Sequence, residues 1–127
     1  MIMPSIPSSP YLKRLYNRFN RLYWKGKLPS DVIVRWASSQ ELSGQGFNRA
    51  PWGIAIPGDK RDPGVILLDS ELQRRNWGKV RDLTLLHEMA HIALPKAHHQ
   101  KSRSKKVGVF RKEMRRLAAI GALDDLI

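Results

Sequence analysis

Residues 79–94 constrain this chain more than any other stretch. They are strong helix formers with no glycine or proline after Lys79, and Pro95 stops them. Val80, Leu83, Leu85, Leu86, Met89, Ala90 and Ile92 leave the helix apolar nearly all round, and such a helix belongs in the centre of a fold. The same helix carries His87, Glu88 and His91, and burying three such groups is costly unless something satisfies them. The rest of the chain must be built around this helix, and its function turns on what satisfies those three side chains.

A chain of 127 residues is enough for one hydrophobic core and too short for two, so residues 1–127 are expected to form a single domain. Residues 1–9, rich in proline and serine, are expected to be a flexible N-terminal segment. The N-terminus has no basic stretch followed by an apolar run, so neither a signal peptide nor a membrane span is expected, and the expectation is a soluble cytoplasmic protein with no membrane partner. Cysteine is absent, which excludes disulfides, thiolate metal sites and cysteine nucleophiles; any metal must sit on His, Asp or Glu.

The pattern elsewhere is α+β. Between Tyr11 and Trp24 apolar residues recur at spacings of three and four, predicting an amphipathic helix opened by Ser8, Ser9 and Pro10 and ended by Gly26 and Pro29. Residues 32–36 read as a strand, with a hairpin expected next; 44–48, 52–56 and 65–68 supply further short strands, for a sheet of three or four. Asp69 or Ser70 caps a helical turn that Asn76, Trp77 and Gly78 break. A last helix over 109–120 turns Phe110, Met114, Leu117 and Ala118 inward and closes on Gly121.

His87 and His91 stand four apart, about 40° in azimuth and roughly 6 Å in rise, so both imidazoles point to one side from consecutive turns and can share one metal ion. Glu88 lies beside them, where a carboxylate can accept a proton from a zinc-activated water attacking a carbonyl. The alternative is that both imidazoles are hydrogen-bonded core histidines and Glu88 reaches the surface. A catalytic zinc site has three protein ligands. His99, then His98, just past Pro95, are the favoured third donors, and Glu113 is the other option.

The net charge of +12 attracts polyanions. Nine of the basic residues fall within 96–116, against the single acid Glu113, which makes Lys101, Arg103, Lys105 and Lys106 the candidate contacts to DNA or another polyanion; the alternative is a solvated face.

Several segments together resemble the SprT-like zinc metallopeptidases, relatives of the Spartan proteases that act on DNA–protein crosslinks. They are Tyr16-Asn17-Arg18-Phe19-Asn20 with Gly26-Lys27-Leu28-Pro29, residues 32–36, Ile66-Leu67-Leu68, Thr84-Leu85-Leu86-His87-Glu88-Met89-Ala90-His91 and Phe110-Arg111-Lys112-Glu113-Met114-Arg115-Arg116-Leu117. The resemblance implies a compact zincin-like domain: an N-terminal helix, a small sheet, a central His-Glu-x-x-His helix and a C-terminal helix. It also implies His87 and His91 as zinc ligands and Glu88 as general base. The family's third histidine precedes a phenylalanine by four residues, and aligning on Phe110 puts Lys106 there. Either the ligand has moved to His98 or His99, or the site is incomplete. Two functions follow as expectations. One is a zinc-dependent metallopeptidase that holds an extended peptide at the sheet edge, with nucleic-acid-associated proteins as candidate substrates. The other is a non-catalytic, basic nucleic-acid-binding protein on a degenerate zincin scaffold.

Overall fold

The computed structural model describes residues 7–43, 52–59, 61–94 and 103–124, with backbone alone at 75 and 103–107. Helix α1 spans Pro10–Trp24, with Pro10 in its first turn and the Ser9 hydroxyl accepting from the Leu12 N–H. Its apolar stripe buries Leu12, Tyr16 and Phe19. The helix ends at Lys25, which takes the left-handed conformation at φ 54°, followed by Gly26 at φ 76°. The buried Asn20 amide then grips Leu28 from both sides, donating to its carbonyl at 3.1 Å and accepting its N–H at 3.0 Å. Tyr16 donates to the Pro29 carbonyl at 2.7 Å. These bonds turn the chain sharply and deliver it to strand β1, Ile33–Ala37. Residues Ser8 and Ser9 are tied to the same strand through Val34.

Among the described residues the expected hairpin does not follow β1. Helix α2, Ser39–Ser43, comes next, then strand β2, Gly53–Ile56, and strand β3, Val65–Asp69. The described residues form a sheet of three strands in the order β1-β3-β2, with β1 parallel and β2 antiparallel to β3. Parallel neighbours require a crossover, and here α2 and β2 lie between the two paired strands in sequence. The expected strand at 44–48 lies outside the described residues. Central β3 is buried at all five positions, as a strand covered on both faces must be.

Asp69 accepts from the Glu71 N–H and caps a short 3-10 turn, Ser70–Gln73. The expected break at Asn76, Trp77 and Gly78 is instead a second 3-10 turn, Arg75–Trp77, running straight into helix α3, Gly78–Ala93. Helix α4, Arg103–Ala119, begins six residues before the expected start at 109, because its first turn-and-a-half carries basic residues and serine, which give no apolar periodicity to read. Its inward side has Phe110, Met114 and Leu117 as expected, but Ala118 is exposed and Glu113 takes part in the inward face. Gly121, at φ 85°, closes the helix as expected, with the Ala122 N–H reaching back to Leu117.

One face of the sheet packs on α1 and α3, and these share a core that includes Tyr16, Val34, Leu68, Leu86 and Met89. The other face gathers a smaller cluster, Ala37, Leu42, Ile54, Val65 and Leu67. The architecture is therefore α+β, with four helices and a three-stranded sheet among the described residues. No helix among them is long and apolar enough to cross a membrane.

Candidate metal centre

Helix α3 runs along β2, an edge strand among the described residues, and the contact is unusually close at Gly53. A Cβ added there would lie 2.9 Å from Thr84 Cγ2 and 3.2 Å from Glu88 Cγ. Only glycine lets the strand come down onto the helix at this point. The Asp69 N–H donates to the Trp52 carbonyl at 2.8 Å, so by the antiparallel alternation Ile54 and Ile56 bond inward to β3. Gly53 and Ala55 therefore turn their peptide groups to the open edge, and the Ala55 N–H donates to the Glu88 carboxylate. The helix position and the strand position fix each other.

Glu88 is 6% exposed. Burial pushes its carboxyl up to about 8, against the smaller opposing effect of the Ala55 hydrogen bond. Burial likewise lowers the basicity of His87. The arrangement is the reverse of core histidines with an outward glutamate: the imidazoles of His87 and His91 are partly exposed while Glu88 is buried.

One donor atom from each of His87, Glu88 and His91 lies within 4.8 Å of the others, close enough for a single ion. Phe110 of α4 walls the cluster, stacked on His91 at 4.2 Å and edge-on to His87 at 4.7 Å between ring centroids. Nitrogen and oxygen donors converging beside an apolar wall, with no thiolate, suit a borderline divalent ion. The group can hold a metal ion. It opens to a cleft of about 310 Å³ lined by Trp52, Gly53, Leu83, Thr84, His87 and Glu88. A larger hollow of about 570 Å³, at the end of the sheet near Asp31, Asp59 and Ile92, includes none of the three donors in its lining.

Among the described residues no other candidate donor is brought to this cluster. His98 and His99 lie outside the described residues. Glu113 is committed elsewhere: its Oε2 accepts from Trp24 Nε1 at 2.7 Å, and its Oε1 accepts from Arg116 Nε at 2.8 Å. Its carboxyl sits below the usual range, burial being outweighed by the bonds from Arg116 and Trp24. Among the candidate polyanion contacts, Lys101 lies outside the described residues, and for Arg103, Lys105 and Lys106 only the α4 backbone is described. Lys106 stands one turn before Phe110 on that helix.

Sequence reasoning missed two contributors. Gly53 read only as one position of the short strand 52–56, although a glycine in a strand is itself a signal of close backbone approach. Phe110 read as core, and nothing in its local pattern shows that it faces two imidazoles. Compared with known proteins, the chain matches no family model and no curated protein is significantly similar to it.

Proposed function

We propose that the chain is a zinc-dependent metallopeptidase of the SprT-like kind, with a zincin-like fold, working in the cytoplasm. The observation that carries this reading is the convergence of His87, Glu88 and His91 within 4.8 Å, opening to a cleft whose opposite wall is the edge of β2 that no other described strand pairs with. His87 and His91 would hold the ion, with His99 or His98 as third ligand. A bound zinc supplies Lewis acidity, polarising the scissile carbonyl and making a nearby water acidic near neutral pH. Glu88, oriented by the Ala55 N–H, takes the proton from the attacking water and passes it to the departing amine. The outward N–H and carbonyl of Gly53 and the outward carbonyl of Ala55, whose N–H is taken by Glu88, pair with an extended substrate as an added strand, presenting its carbonyl to the cleft. Proteins associated with nucleic acid are the substrate class that the basic charge favours.

A second reading, a non-catalytic nucleic-acid-binding protein on the same scaffold, is favoured by one observation. Lys106 occupies the α4 position one turn before Phe110, where the SprT-like pattern has its third histidine.

Metal analysis separates the two. Purified protein offered zinc should carry one equivalent, lost in His87→Ala and in His91→Ala, and lost also in either His98→Ala or His99→Ala. Absence of zinc in the wild type would end the peptidase reading. Retained zinc with no cleavage of a mixed peptide library by wild type would leave the scaffold reading in its place.

A further inference from the structure

Outside the metal cluster, charge is distributed unevenly. Helix α1 carries Lys13, Arg14, Arg18 and Arg21 and not one acid. Lys13 is used internally, its ammonium donating to the carbonyls of Ser30 and Val32. The three arginines are exposed, at spacings of four and three, which puts them within about 60° of one another on the side away from Leu12, Tyr16 and Phe19. Lys25, four residues on at the helix cap, is also exposed and extends the row. From Arg14 to Lys25 the row covers about 16 Å at 1.5 Å per residue. None of the four forms an ion pair with an acid among the described residues.

At its Lys25 end the row reaches a hollow of about 420 Å³ between α1 and α4, lined in part by Lys25, Lys27 and Arg116. The joint is built rigidly. Arg116 Nη1 donates to the Tyr23 carbonyl at 3.0 Å, and Trp24 donates to Glu113. Glu113, the one acid of α4, is neutralised by Arg116, so Lys25 and Lys27 stand uncompensated beside it. Asp31, Asp59 and Asp62 lie instead around the hollow at the end of the sheet.

We propose that this face, the Arg14-Arg18-Arg21-Lys25 row with the hollow at Lys27 and Arg116, seats the sugar–phosphate backbone of nucleic acid. The site does not depend on the metal cluster and is distinct from Lys101, Arg103, Lys105 and Lys106. Three features select this partner. Guanidinium groups in a regular row on a rigid helix suit a regular array of phosphates, which each accept a forked pair of hydrogen bonds. A duplex presents one charge per roughly 1.7 Å of axis, so the length of the row faces several phosphates at once. An anionic membrane surface would call for apolar side chains to insert, and most of the apolar stripe of α1 is spent on the core; of the two exposed apolar side chains of the helix, Tyr11 and Leu22, the Tyr11 ring already lies under the Arg81 guanidinium.

The test is binding of the full chain to a labelled random-sequence DNA duplex, and to one of its single strands, over a salt series. The triple variant Arg14→Glu/Arg18→Glu/Arg21→Glu should bind on the order of a hundredfold more weakly near 0.1 M salt. Its salt slope, and that of the milder triple glutamine variant, should fall by about three. An equal charge change elsewhere, Arg61→Glu/Arg74→Glu/Lys79→Glu, should cost far less. The proposal is overturned if the two glutamate triples weaken binding equally. It is overturned if loss occurs only in Lys101→Glu/Lys105→Glu/Lys106→Glu, or if phosphatidylserine vesicles or polyglutamate bind the wild type more tightly than DNA does. Zinc content, measured on the same samples, should not change, so failure of the metal reading leaves this one standing and the reverse.

Discussion

Arg35 and Glu88 are both ionisable side chains about 6% exposed, one on each side of the sheet, and their surroundings differ completely. Arg35 has a bidentate partner: its Nη2 and Nη1 donate to Glu41 at 2.6 and 3.1 Å, and Nη1 also reaches the Trp36 carbonyl. Only its Nε is without a partner. Among the described residues Glu88 pairs with no cation. One backbone N–H from Ala55 is the bond that lowers its carboxyl pKa, and burial overrides it. A paired buried charge is settled by its partner and serves architecture, joining β1 to α2. An unpaired one beside two imidazoles is held in a state of high proton affinity, which is a costly arrangement for a fold and a useful one for proton transfer. The comparison teaches that two equally buried ionisable groups can differ in what compensates them: Arg35 meets a carboxylate, whereas Glu88 meets, among the described residues, a backbone N–H.

Replacing each charge by a neutral group should break the two regions in opposite ways. The largest effect is expected for Glu88→Gln, which keeps shape and removes the proton acceptor. On any substrate that the zinc-loaded wild type cleaves, the variant should lose about 10²- to 10⁴-fold in turnover while still binding zinc. Turnover that survives the change would remove Glu88 from the chemistry. Next is Glu41→Ala, which strands the Arg35 guanidinium in the sheet and should destabilise by about 3 kcal/mol in a denaturant titration. Arg35→Met combined with Glu41→Leu should recover most of that loss. If the single change costs nothing, the pair is ornamental and the contrast with Glu88 fails.

A smaller effect, about 1–3 kcal/mol, is expected for Gly53→Ala, whose new methyl would press on Thr84 and on the Glu88 stem. Because strand and helix would separate at that point, turnover should fall together with stability, whereas Glu41→Ala should leave the turnover of the folded fraction near normal.

The sign of the pH effect sharpens the same contrast. The Glu88 carboxyl titrates near 4.5 when unfolded and about 8 in the fold, so the folded state holds the proton that the unfolded chain has lost. Its contribution is fully present below about 4.5 and is lost as pH rises towards about 8. His87, with its basicity lowered from 6.5, contributes oppositely, its part rising with pH below that value. In chelator-treated protein, the melting temperature of Glu88→Gln relative to wild type should therefore climb between about 4.5 and about 8. Parallel curves would mean that Glu88 ionises freely. The smallest effect is at the α1–α4 joint: Trp24→Phe removes the donor to Glu113 and should cost about 1 kcal/mol without altering zinc content.

What the sequence by itself determined is what lies within a few residues of itself. The three-and-four spacing of Leu12, Tyr16 and Phe19 sets α1, the uninterrupted run up to Pro95 sets α3, and His87 and His91 on consecutive turns set two converging donors with Glu88 beside them. The Ser9 cap and the Gly121 terminator are legible for the same reason, since each depends on its own backbone conformation. Only the tertiary structure decided the parallel pairing of β1 with β3, because strands separated by some thirty residues carry no local mark of their direction. It also decided that Gly53 admits Glu88, that Phe110 stacks on His91, and that Glu113 serves Trp24 across 89 residues and not the metal cluster. Helical periodicity is a property of neighbours in the chain, whereas a site's walls, and the partner that each buried charge meets, come from surfaces that the chain brings together only once it has folded.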